Sequence, residues 1–150
     1  MSGRHPVVPP IFLLLGLLAS VALHFYAPLW VVLPWPLNLS GVVILLAGMA
    51  LTGLSAGRFR ALGTPVRPFL PPTTLVISGA FRFTRNPMYV GMAAILVGVA
   101  LLCGTASAFL PVPLFVWQIR RKFVLPEEAF MEETFGQPYR DYKDRVRRWL

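Results

Sequence analysis

Arg85, Asn86, Pro87, Met88, Tyr89, Val90 and Gly91 stand together in the chain, and Glu127 and Glu128 follow after one long apolar stretch. A guanidinium, an amide, a phenol and two carboxylates are groups that hold a zwitterion or relay a proton. Downstream lie Phe135, Gly136, Tyr139, Tyr142 and then Val146, Arg147, Arg148 and Trp149. Pro87 favours an extended residue before it and a helix after it. The helix opening at Met88 would offer free N–H groups to an anion. Carboxylates facing it would take hydroxyls, an amine or a cation. If the apolar stretch between them is a hairpin, both segments come to the same end of the fold.

The elements that must position these groups are apolar. Hydrophobic residues make up 56% of the 150 residues and charged residues 13%, too little polar surface for an ordinary soluble domain. Residues 11–57 contain no Asp, Glu, Lys or Arg, and neither do residues 86–119. Uncharged runs of this length read as membrane spans. A signal peptide is the alternative for the first run, but no small-residue cleavage site leads into a polar domain.

The sequence predicts an all-α integral membrane protein of about four transmembrane helices, forming one domain over residues 1–150. The spans fall at about 10–33, 37–57, 88–103 and 106–123. Pro28, Pro34 and Pro36 close the first, and Asn38 or Ser40 caps the second. Gly48, Thr52 and Ala56 form a small-residue stripe for close helix packing, and Gly91, Ala94 and Gly98 give the third span a small face. Residues 86–119 cover roughly 50 Å as helix, against roughly 60 Å for two full crossings, so this hairpin borrows Arg120, Arg121 and Lys122 by snorkelling or crosses incompletely. A proline-broken connector over 58–85 carries Arg58, Arg60, Arg67, Arg82 and Arg85 and no acid. From Pro126 to about Arg148 we expect an amphipathic helix broken at Gly136 and Pro138, capping the membrane surface.

Four spans put all 14 basic residues on one side. The positive-inside rule then makes both termini and the active-site segments, 63–91 and 120–148, cytoplasmic, with the chain in the inner or plasma membrane if bacterial. A net charge of +8 gathered at span ends meets lipid headgroups and not nucleic acid. Cys103 is the sole cysteine and His5 and His24 stand apart, so no metal site is expected.

In order and spacing, Leu75 to Phe81, Arg85 to Gly91, Glu127-Glu128, and Phe135-Gly136 with Tyr139, Tyr142 and Val146 resemble the isoprenylcysteine carboxyl methyltransferase and phospholipid methyltransferase superfamily of integral membrane enzymes. The resemblance covers about residues 63–150. It implies methyl transfer from S-adenosylmethionine to a lipophilic acceptor: a prenylcysteine-like carboxylate, a phospholipid amine or a small lipophilic metabolite. Its implied cofactor-binding residues are Thr73, Leu75, Val76, Gly79, Phe81, Arg85, Asn86, Pro87, Met88, Tyr89 and Glu127. Asn86, Tyr89, Glu128 and Arg121 are the implied catalytic set, with Arg120 or Arg121 orienting an anionic acceptor or headgroup.

The chain departs from the family pattern at four places. Phe81 stands where Tyr is frequent, and Asn86 and Thr73 stand where His is frequent. The substrate-binding Arg of the prenylcysteine enzymes falls on Phe123. Methyl transfer is an in-line displacement, so positioning and desolvation carry much of the catalysis. An amine acceptor must also lose a proton, a task for Glu128 or Tyr89. No G-x-G-x-x-G is present, which excludes the soluble dinucleotide-fold route to a cofactor. Two other readings compete: a nicotinamide-dependent reductase of related fold, and a non-catalytic membrane protein that keeps the fold. Expected partners are membrane lipids and the lipophilic acceptor.

Overall fold

The computed structural model describes residues 8–66 and 70–150. Arg4, His5, Arg67 and Pro68 lie outside the described residues. The chain is all-helical: α1 (Pro9–Tyr26), α2 (Ser40–Ala61), α3 (Pro87–Cys103), α4 (Pro111–Ile119), α5 (Leu125–Phe135) and α6 (Gln137–Arg145). Short 3₁₀ turns at Leu37–Leu39, Gly79–Arg82 and Ala106–Phe109 join some of them, and a π turn at Arg120–Val124 links α4 to α5.

Two helical stretches, Pro9–Tyr26 and Leu37–Ala61, are long and apolar enough to cross a membrane, whereas α3 is apolar but shorter. Leu14, Leu15, Leu18 and Phe25 of α1, and Val43, Leu46, Met49 and Leu54 of α2, are exposed. Such a surface is stable against lipid and not against water.

The first expected span is too long. Helix α1 stops at Tyr26 because Pro28 disfavours helical geometry at Ala27, which adopts φ −141°. Residues beyond it instead pair with the α3–α4 turn: Val32 N–H donates to Gly104 O (2.8 Å) and Ala106 N–H to Trp30 O (3.0 Å). Gly104 allows that turn, with φ +71°. Helix α2 runs past the expected end to Ala61. Its N-terminus has no side-chain cap, because Asn38 Nδ2 reaches across to Leu102 O at 2.9 Å.

Helices α2 and α3 pack antiparallel through two glycine pairs. A Cβ on Gly48 would fall 2.6 Å from Gly91 O, and a Cβ on Gly98 would fall 2.8 Å from Gly41 O. The fully buried residues of α2 are Gly41, Gly48 and Ser55, spaced by seven, while of the expected stripe Gly48 and Thr52 both pack on Gly91 of α3. The Thr52 hydroxyl also donates to Met88 O at 3.4 Å. Backbones this close gain dispersion and carbonyl contacts, the forces left when lipid removes the hydrophobic drive.

On the other face of α3, Leu96 packs among Phe115, Ile119, Phe123 and Val124, with Phe12 and Leu13 of α1 against them. Instead of ending at the expected fourth-span boundary, the helix continues from α4 through the π turn into α5. Pro126 lacks an N–H, and its ring would clash with carbonyl 122 in α-helical register. Widening the preceding turn relieves this and resets which face α5 presents. Helix α6 follows the break at Gly136, where φ is +60°. Its aromatic face turns inward: Tyr139 and Tyr142 are buried, which differs from the membrane-facing cap expected.

Candidate functional site

The start of α3, the start of α5, the connector and α6 enclose a cleft at one end of the bundle. Its empty volume, mouth included, is about 850 Å³. Of the predicted site residues, Leu75, Val76, Phe81, Arg85, Asn86, Pro87, Met88, Tyr89, Glu127 and Glu128 line it. These come from segments separated by a hairpin, as the sequence implied.

At one wall, Tyr89 Oη donates to Glu127 Oε1 at 2.7 Å. Burial pushes the Glu127 carboxyl up to about 7, and the Tyr89 hydrogen bond pulls it partly back. Arg85 lines the same cleft, and its side chain is 10% exposed. Its Nη1 is 3.3 Å from Glu128 Oε1 as an ion pair, but Nε and Nη1 have no hydrogen-bond partner. Glu128 is held more tightly by Arg148, Nε to Oε1 at 2.8 Å and Nη2 to Oε2 at 2.9 Å.

The aromatic walls are built by packing and one buried hydrogen bond. Phe81 rests on Phe59 at 5.2 Å between centroids, and Tyr142 Oη donates to Phe81 O at 2.7 Å. Thus Phe81, lacking a hydroxyl, serves through its ring and carbonyl. Asn86 is 9% exposed; its Nδ2 donates to Arg148 O at 3.0 Å and its N–H to Thr84 Oγ1 at 3.2 Å.

Three predicted residues do not reach the cleft. Arg121 is exposed on the π turn, with its guanidinium 5.4 Å from the Trp117 ring centroid. The turn's rotation sends it outward, away from Tyr89 and Glu127. Thr73 bonds to Thr64 Oγ1 (3.0 Å) and to Gly63 O (3.3 Å), bracing the connector behind the cleft wall. Gly79 supplies a left-handed turn, φ +64°, which leads into the 3₁₀ turn carrying Phe81. The sequence reading missed Phe59, Leu70, Phe130, Met131, Tyr139 and Tyr142 as lining residues. Tyr139 and Tyr142 were legible as aromatics at helical spacing, but not the inward turn of their face.

Beyond the Glu128–Arg148 pair lies a second, shallow groove lined by Val112, Pro113, Val116, Trp117, Arg120, Arg148 and Trp149. Arg120 and Arg148 are the cations lining this apolar surface, and Arg121 stacks over its Trp117. Phe123 is buried, with its ring 5.7 Å from Phe12 and 6.4 Å from Tyr89. No group of three or more metal-ligating side chains occurs among the described residues.

Helices apolar enough to cross a membrane, with a cleft at one end lined by Arg85, Glu127 and Glu128, define the class: an all-helical, membrane-type protein. The model of the phospholipid methyltransferase family matches residues 37–138, and the chain belongs to that family. An uncharacterised protein of Haemophilus influenzae is 40% identical over 63 residues, 42% of this chain and all of that protein. The protein-S-isoprenylcysteine O-methyltransferase of Schizosaccharomyces pombe is 31% identical over 72 residues, 48% of this chain and 30% of that enzyme. Its Homo sapiens counterpart is 35% identical over 78 residues, 49% of this chain and 26% of that enzyme. The chain thus spans under a third of the length of those two named relatives. No solved structure matches it.

Proposed function

We propose that this protein transfers a methyl group from S-adenosylmethionine to a lipophilic acceptor at a membrane surface. The observation that carries the reading is one cleft lined by both Glu127 and a nine-tenths-buried, incompletely bonded Arg85. The methyl donor is a zwitterion with an added sulfonium, and these two side chains fit its opposite charges. Arg85 and the N-terminus of α3 suit its carboxylate, and Glu127 suits a cationic end. Phe81, Tyr139 and Tyr142 give aromatic walls for its flat ring system.

The bound donor supplies an electrophilic methyl group whose carbon–sulfur electron pair returns to sulfur as the acceptor bond forms. The chain's own residues hold and desolvate the reactants. Tyr89 fixes the Glu127 carboxylate by its hydrogen bond. The apolar lining from Leu75, Val76 and Met131 excludes water, which strengthens each charge interaction. A carboxylate acceptor needs no base. For an amine acceptor, Glu127, held near neutrality and bonded to Tyr89, is better suited to take a proton than Glu128, which two guanidiniums keep occupied.

The groove beside Trp117 and Arg120 supports an acceptor with an apolar tail. The candidates are a prenylcysteine-like carboxylate, a phospholipid amine and a small lipophilic metabolite. The four-crossing arrangement, with both termini and the cleft on the cytoplasmic side, rests on the one-sided distribution of basic residues.

Calorimetric titration of S-adenosylmethionine and its demethylated product into the detergent-solubilised protein tests the reading. Binding by the wild type, lost in Glu127→Ala, is expected. No binding by the wild type, or full binding by that variant, would sink it.

A further inference from the structure

Arg148 joins three segments that lie far apart in sequence. Its guanidinium grips Glu128 with two prongs at the start of α5. Its carbonyl oxygen accepts from Asn86 Nδ2 at 3.0 Å and from Thr84 Oγ1 at 3.2 Å, just before α3. One residue earlier, the Arg147 carbonyl accepts from the Arg85 N–H at 2.9 Å. The chain end is thus a strap fastened along residues 84–86, while Arg148 itself lies outside the set lining the cleft.

Glu128 is where this strap meets the site. Its side chain is 11% exposed and touches two guanidiniums. A bidentate Arg–carboxylate pair uses both carboxylate oxygens in one plane. Arg148 has that geometry, and Arg85 keeps a 3.3 Å ion pair to Glu128 and a hydrogen bond with the Tyr139 side chain, while its buried Nε and Nη1 have no hydrogen-bond partner. Buried guanidinium nitrogens of Arg85 without partners call for an anionic acceptor in the cleft.

We propose that Arg148 is a positioning residue of the methyl-donor site: by occupying Glu128 it keeps Arg85 available to the anionic end of a ligand in the cleft. This rests on the reading of the cleft given above. Without Arg148, the Glu128 carboxylate closes on Arg85 as a fork, and the donor's carboxylate loses its partner. Asn86 has a matching role. At the position where related enzymes often carry His, its amide anchors the strap that holds Arg148 in place.

The test is a two-step substitution, read as S-adenosylmethionine affinity by calorimetry on the full chain in detergent. Arg148→Ala weakens binding about tenfold or more, as loss of a charge-assisted bidentate partner does. Adding Glu128→Gln removes the competitor for Arg85 and brings affinity back to within about threefold of wild type. A merely structural role predicts a double variant no tighter than Arg148→Ala. That result, or unchanged affinity in Arg148→Ala, would overturn the proposal. Should Arg148→Ala fail to fold, Arg148→Lys keeps the charge but not the fork, and the same pair of comparisons decides. Arg145→Ala, on the exposed side of α6, serves as the unchanged control. A wild type that binds while Arg148→Ala is unaffected sinks this inference alone. A wild type that does not bind sinks the cleft reading as well.

Discussion

Donor binding should be coupled to the ionisation of Glu127. Burial raises this carboxyl from an ordinary 4.5 to about 7. A carboxylate with a raised folded-state value contributes stability that is present below pH 4.5 and is lost as pH rises through 7. The ionised form in the empty cleft therefore costs up to about 3 kcal/mol, at 1.36 kcal/mol per unit. A sulfonium beside Glu127 offsets that cost by favouring the charged form, so affinity for the methyl donor should climb with pH and level off above pH 7. At about pH 5.5 only some 3% of empty protein carries ionised Glu127, and donor affinity should be roughly 30-fold below its plateau. The demethylated product, lacking the sulfonium, should show a far shallower dependence. Calorimetry between about pH 5.5 and pH 8.5, in buffers of different ionisation heat, reads both affinity and protons released; about one proton per donor should leave near pH 6 and almost none at the upper end. Glu127→Gln should abolish the slope. A flat wild-type profile, or a slope that survives Glu127→Gln, would refute the reasoning.

The other expectations follow from single contacts. Tyr89→Phe removes the 2.7 Å hydrogen bond that lowers the Glu127 value, so its donor-binding profile should move to higher pH; an unmoved midpoint would count against the pair. Gly48→Ala places a methyl 2.6 Å from Gly91 O and should cost about 1–3 kcal/mol in detergent unfolding, whereas Gly53→Ala meets nothing within 4 Å and should be neutral or slightly stabilising. Arg121→Ala should leave donor affinity unchanged, since its guanidinium lies over Trp117 and outside the cleft. A cysteine introduced at exposed Trp35, in a background without Cys103, should react with impermeant reagents only from the non-cytoplasmic side; cytoplasmic labelling would contradict the four-crossing arrangement.

How far the site could be read in advance differed by residue. Tyr89 and Glu127 were legible because a helix start and a carboxylate flanked the same uncharged hairpin, and chain connectivity alone brings such groups near each other. Arg121 lies outside the cleft, one residue from Arg120, which lines the second groove. Each residue turns a helix face by about 100°, and the π turn before Pro126 changes that count. Thr73 and Gly79 sit in the connector, whose prolines mark irregularity without saying which side chains turn inward. For Asn86 the sequence suggests only a replacement for an imidazole. Its contact with the Arg148 carbonyl spans 62 residues and leaves no local trace in the sequence.

The sequence by itself determined the all-helical, apolar character of this protein and the family it belongs to. Long uncharged runs make helices apolar enough to cross a membrane. It also limited the ionisable groups near the hairpin ends to a few, Arg85, Glu127 and Glu128 among them. Only the tertiary structure decided how those groups divide their work. Glycine-to-glycine contact sets the depth at which α2 meets α3, and the widened turn before Pro126 sets the rotation of α5. With both fixed, Glu127 meets Tyr89, and Glu128 meets Arg148 in preference to Arg85. Pairing of this kind depends on tenths of an ångström between helices distant in sequence, and residue type and spacing do not encode it locally.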